Sequence, residues 1–152
     1  MADFDMLIPH YKDEAHLSEL LHDMATNNKK YKPNNIHVVN DGEVTEDFVT
    51  VCSEWGKYLP VRIYEVERCG HIKLIHDFMM EAEADNVLVS HADTKLVCNN
   101  ASVQFHDPVS VLGFYISDND ISGISCYSLG TGKGIVNKQS EADSFISYGL
   151  RT

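Results

Sequence analysis

Four short polar segments each come after an apolar run: Pro9-His10-Tyr11, Asn40-Asp41-Gly42, Arg68-Cys69-Gly70 and His91-Ala92-Asp93-Thr94. Their residue types suit a small set of chemistries. A carboxylate such as Asp41 or Asp93 can accept hydrogen bonds or offer oxygen ligands to a hard divalent cation. An imidazole such as His91 adds a nitrogen donor, which suits manganese better than magnesium. Lys12, Arg68 and Lys73 can meet phosphate oxygens directly. Each has a plainer reading beside it. Asp41-Gly42 is a common turn pair, His91 a polar strand-end residue, and the lysines solvated surface charges.

The apolar runs set where these segments must lie. Residues 4–9 read as a buried strand, followed by Leu17, Leu20, Leu21 and Met24 at the spacing of one helical face. Residues 36–40 form a second strand. Thr45 is placed to cap a helix whose Phe48, Cys52 and Trp55 share a side. A third strand spans 61–66, and Gly70 breaks the chain before a helix carrying Ile72, Ile75, Phe78, Met79 and Ala82. Val87, Leu88 and Val89 make a fourth strand. Strands alternating with helices of this length predict α/β architecture, a mostly parallel sheet sandwiched by helices. Such sheets bind ligands at the carboxyl ends of their strands, where all four polar segments fall.

The second half is less regular. Residues 109–116 and 121–129 read as two strands of a small antiparallel hairpin around Ser117-Asp118-Asn119-Asp120. The segment 130–134 does not fit the GxxxxGK[ST] phosphate loop and reads as a hairpin loop. Residues 140–150 read as a helix, with Ser140 and Asp143 spaced like a weak capping box.

Composition narrows the function classes. The 152 residues suit one domain, 1–152, with 43% hydrophobic and 23% charged content. A net charge of −11 argues against a general nucleic-acid binder. No apolar run reaches the ~20 residues of a membrane span, and the acidic start lacks signal-peptide character, so a cytoplasmic location is expected. The four cysteines form no CxxC pair and HExxH is absent, so reduced thiols are expected rather than a disulfide or zinc framework.

Taken in order, the segments resemble the family-2 glycosyltransferases. That family opens with a strand, Pro-x-Tyr/Phe-Asn-acid-acid and a Leu-rich helix; here Pro9-His10-Tyr11-Lys12-Asp13-Glu14 precedes Leu17, Leu20 and Leu21. Its second strand ends in Val-Val-Asp-Asp-Gly, here Val38-Val39-Asn40-Asp41-Gly42, and its Asp-x-Asp metal motif is matched by His91-Ala92-Asp93. The likeness covers residues 4–96 and thins out afterwards.

The resemblance implies a GT-A fold, with 1–96 as a nucleotide-binding half and 97–152 as a compressed acceptor half. It implies a metal-assisted transfer of sugar from a nucleoside-diphosphate sugar to an acceptor that the sequence does not name. Pro9, Tyr11, Asp41 and Lys73 would then contact the nucleotide, with Tyr11 packing on the base and Asp41 accepting from its imide N–H. Asp93 and His91 would hold Mn2+ or Mg2+. Glu141 or Asp143 would supply the general base, although both equally fit an ordinary helix N-terminus. Asn40, His91 and Lys12 depart from the family pattern. They leave room for a non-catalytic GT-A-like module that binds a ligand, forms a homo-oligomer or builds a larger assembly.

Overall fold

A computed structural model of the chain describes residues 4–26, 32–93, 123–125 and 147–151. The first half alternates strand and helix: β1 (Asp5–His10), α1 (Glu14–Thr26), β2 (Ile36–Asp41), α2 (Glu46–Trp55), β3 (Val61–Val66), α3 (His71–Glu81) and β4 (Asn86–Ser90). Two further strands, β5 (Gly123–Ser125) and β6 (Ser147–Arg151), come from the second half. All join one sheet in the order β3-β2-β1-β4-β6-β5. The first four strands are mutually parallel, while β6 runs antiparallel to both β4 and β5.

Alternation along β1 splits the core between the two faces, because successive strand side chains point to opposite sides. Met6 and Ile8 pack with Leu17, Leu20, Leu21 and Met24 of α1 and with Phe48 and Cys52 of α2. Leu7 packs on the other face with Val39, Val87 and Val89 beneath Leu74 and Ile75 of α3. The helical spacing in α1 therefore does what its pattern implies, since Leu17, Leu20, Leu21 and Met24 are all buried. Among the described residues no helix is long and apolar enough to cross a membrane.

Helix starts fix the loops of the rim. Thr45 caps α2 by accepting from the Phe48 N–H at 3.1 Å, and its hydroxyl donates to Glu14 Oε1, which ties α2 to the start of α1. At α3 the cap position is Gly70, with φ +88 and no side-chain cap. That left-handed backbone favours glycine, and it turns the Gly70 N–H back toward β2.

The second half differs from the expectation in one respect. Residues 147–150, read as the end of a helix, lie in β6, with Val87 opposite Leu150 and Val89 opposite Tyr148. Gly149 disfavours a helix interior by about 1 kcal/mol, and β4 offers a free edge whose hydrogen-bonding groups the segment satisfies. β5 falls within the expected 121–129 strand, and its partner among the described residues is β6. Residues 109–116, 130–134 and 140–146 lie outside the described residues.

Candidate functional site

Parallel pairing of β2 with β1 and of β1 with β4 brings the carboxyl ends of three adjacent strands to one rim, as their registers require. The α3 N-terminus joins them through the 67–70 loop. A cleft of about 330 Å³ opens there between Tyr11 and Arg68 on one side and His71, His91 and Asp93 on the other, with Pro9 also in its wall. A second groove of about 510 Å³ lies on the far side of the Tyr11–Arg68 pair, toward Lys12 and Thr45.

Asp41 organises this rim. The residue is fully buried, and its Oδ1 accepts from the Cys69 N–H at 2.8 Å. Its Oδ2 accepts from the Gly70 N–H at 3.0 Å and from Arg68 Nη1. Burial alone would push the carboxyl pKa up, but the two backbone donors and the guanidinium outweigh it and hold the group below its usual range. The expected acceptance from a nucleobase therefore meets a carboxylate whose oxygens are already engaged. Gly42 serves the same arrangement: at φ +115, a Cβ there would contact Arg68 Cδ at 3.6 Å.

Arg68 links Asp41 to Tyr11. Its guanidinium carbon lies 3.7 Å from the centre of the Tyr11 ring, within cation–π range, while half of its side chain remains exposed. Lys12, at 5.3 Å from the same ring, approaches it as well. Lys12 and then Arg68 lower the Tyr11 phenol pKa. Tyr11 is thus a half-exposed platform with two cations beside it.

Beneath that platform sits a buried pair with no counterpart in the sequence reading. His10, fully buried, stacks on Phe48 with ring centroids 5.1 Å apart. Its Nε2 accepts from the Asp13 N–H at 3.0 Å, so the proton resides on Nδ1 and is donated to Asn40 Oδ1 at 2.8 Å. The Asn40 amide in turn donates to the carbonyls of Gly42 and Glu43. An aspartate at position 40 would have no donor for those carbonyls. Asn40 and His10 are matched to each other; His10 anchors the turn in which Lys12 takes φ 48, and Asn40 anchors the turn at Gly42 and Glu43.

His91 faces His71 across the cleft, with ring centroids 5.4 Å apart and planes tilted by 38°. Burial, and next the neighbouring His91, push the His71 pKa down. Asp93 lines the same cleft and is exposed. Lys73 is not drawn in: it stands on the exposed side of α3 and pairs with Asp77. Glu141 and Asp143 lie outside the described residues. Among the described residues no three His, Cys, Asp or Glu side chains cluster as a ready-made metal cage.

His10 and His71 are the rim residues that sequence reasoning missed. Their one available signal was position: His10 lies within the Pro9-His10-Tyr11 segment, which was given no role for it, and His71 directly follows Gly70. A separate cavity of about 380 Å³ lies under α3 and shares no residue with the rim cleft. There His37 bridges Asp5 Oδ2 at 2.6 Å and the Tyr64 hydroxyl at 3.0 Å.

Solved structures with this architecture include the mannosyltransferase PcManGT from Pyrobaculum calidifontis in complex with GDP-Man and Mn2+ (TM-score 0.61, 17% identity, 81% of this chain and 34% of that one). TarS from S. aureus in complex with UDP-GlcNAc matches with a TM-score of 0.63 at 16% identity, over 88% of this chain and 36% of that one. Glucosyl-3-phosphoglycerate synthase from Mycobacterium tuberculosis, in complex with phosphoglyceric acid, matches with a TM-score of 0.65 at 15% identity, over 99% of this chain and 57% of that one. No protein-family model and no curated protein matches the chain. The chain thus spans between about one third and three fifths of the length of these structures. The likeness is one of fold: an α/β, GT-A-like arrangement shared with glycosyltransferases.

Proposed function

We propose that this chain is the nucleotide-sugar-binding part of a metal-assisted glycosyltransferase, within a single domain over 1–152. One observation carries the reading: Tyr11, Arg68, Asp41, His91 and Asp93 converge on one rim at the carboxyl ends of adjacent strands. Open α/β sheets bind their ligands there. The neighbours of this fold include proteins solved with GDP-Man and Mn2+ and with UDP-GlcNAc, which supports a nucleoside-diphosphate sugar as the ligand class.

The described residues divide the work as follows. Tyr11 offers a flat face for the base. Arg68 and Lys12 supply local positive charge to an anionic ligand on a protein of net charge −11. Asp41 acts by holding Arg68 and the 69–70 turn rather than by touching the base. Its role as base acceptor would require Arg68 to move aside. Lys73, engaged with Asp77, is a weaker candidate for phosphate contact.

The donors fit a divalent ion in a limited way. Asp93 gives oxygen and His91 nitrogen, so diphosphate oxygens and water would complete the shell. Mixed nitrogen and oxygen donors suit manganese better than magnesium. When bound, such an ion supplies charge stabilisation to the leaving diphosphate. Glu141 or Asp143 as the general base belongs to the same proposal.

A second reading, a non-catalytic module that binds a ligand or partner, is favoured by the Asn40–His10 pairing. Position 40 is committed to structure rather than to a ligand. Thermal denaturation separates the two. With Mn2+ and UDP or GDP at one hundred times its Kd, the enzyme reading predicts about 2.7 kcal/mol of stabilisation, reduced in Asp93→Ala. A flat response to every common nucleoside diphosphate with Mn2+ or Mg2+ would leave the module reading.

A further inference from the structure

Arg68 occupies the place that the ligand of this rim would need. Its guanidinium carbon stands 3.7 Å from the centre of the Tyr11 ring, closer than a stacked aromatic ring comes to its partner's centre. The same guanidinium donates to Asp41 Oδ2. One side chain thus covers the flat face of Tyr11 and engages the carboxylate beside it. A ligand group that stacks on that face and also bonds Asp41 must stand where Arg68 stands.

The surroundings suit a side chain that moves while its neighbours stay. Half of the Arg68 side chain is exposed, whereas Asp41 is fully buried and held by the Cys69 and Gly70 N–H groups, which do not depend on the guanidinium. Among the described residues, the walls of the two rim grooves share only Tyr11 and Arg68, so this pair is the partition between them. Swinging Arg68 off Tyr11 joins the groove of about 510 Å³ beside Lys12 and Thr45 to the cleft of about 330 Å³ beside His91 and Asp93.

We infer that Arg68 is a specificity gate: it covers the base site and yields it only to a ligand that carries both a flat imide base and a diphosphate. This rests on the nucleotide-sugar reading and adds to it a residue that selects the ligand. A base that displaces the guanidinium covers Tyr11 and gives Asp41 an imide N–H in exchange. The displaced guanidinium then needs an anion, and a diphosphate in the adjoining cleft supplies one in the bidentate geometry that arginine favours. A nucleoside without phosphate leaves the guanidinium unpaired, and a free diphosphate that draws Arg68 away leaves the buried Asp41 without a replacement donor. Either fragment alone binds weakly, because the open position is scarce until both halves of the ligand are present.

The test measures binding of uridine, UDP, guanosine and GDP to the full chain by titration calorimetry in the presence of Mn2+. Arg68→Ala removes the gate and the phosphate contact together. For the base that the protein accepts, nucleoside affinity should rise at least threefold over wild type while nucleoside-diphosphate affinity falls at least tenfold. An arginine that only binds phosphate would leave nucleoside affinity unchanged, and one that holds the base would lower it; either result overturns the gate. Arg62→Ala, in the separate cavity under α3, should leave both affinities as in wild type. Arg68→Ser, with circular dichroism to verify folding, replaces Arg68→Ala if that variant unfolds. Diphosphate binding in wild type with no nucleoside gain in the variant sinks the gate and leaves the nucleotide-sugar reading standing. No binding of any of the four probes to wild type or variant sinks both.

Discussion

Replacing Asp41 by asparagine tests the rim at its centre. Asp41 accepts from the Cys69 N–H on one oxygen and from the Gly70 N–H and Arg68 on the other. Asparagine keeps one acceptor, and whichever way its amide turns, an NH2 group faces a backbone N–H. At least one charge-assisted bond is lost and one buried donor is left unpaired. Hydrogen bonds to charged groups contribute about 1.5–3 kcal/mol each, so Asp41→Asn should cost about 3–4 kcal/mol. For a domain of this size each kcal/mol moves Tm by about 2–4 °C, which gives a fall of roughly 6–16 °C by circular dichroism. The pH profile provides an independent reading. The folded-state pKa lies below the ordinary value of 3.8, so the carboxylate's contribution is fully present above that value. It disappears as pH falls through the folded-state value. The variant should therefore lose less stability than wild type as pH falls below 3.8. A variant melting within about 2 °C of wild type, with the same acid limb, would refute the assignment of Asp41 as the structural hub.

Three further outcomes follow from the packing. Phe48→Ala removes a fully buried ring from the α1–α2 face and from its stack on His10, and should cost about 3–5 kcal/mol, read as a lower urea midpoint at unchanged slope. His10→Ala and Asn40→Ala should be coupled, their double-mutant cycle giving an interaction energy of about 1–3 kcal/mol; strict additivity would show that the buried pair is not a unit. Cys52, whose thiol burial pushes up to about 12, should escape iodoacetamide in the native protein at pH 8 (about four units below that value) and react once urea unfolds it, as peptide mass mapping would show.

Local pattern made the first half legible. Leu17, Leu20, Leu21 and Met24 lie within two turns of helix, and their burial needs nothing beyond an apolar surface to face. Thr45 announces the start of α2 in the same way, because capping acts within one turn. Residues 147–150 misled because their state depends on β4, about sixty residues earlier. Asn40 looked like a defect in a motif until His10 appeared at its side, and residues 30 apart carry no local sign of contact.

The sequence by itself determined which elements form in the first half and at which end of the sheet the polar groups collect, since hydrophobic periodicity and strand polarity are properties of the chain. Tertiary structure alone decided what each rim residue does there. Asp41 became a buried anchor, Arg68 the cation over Tyr11, and His71 the partner of His91, because hydrogen bonds and ring contacts depend on ångström-scale distances that parallel pairing of β1, β2 and β4 creates.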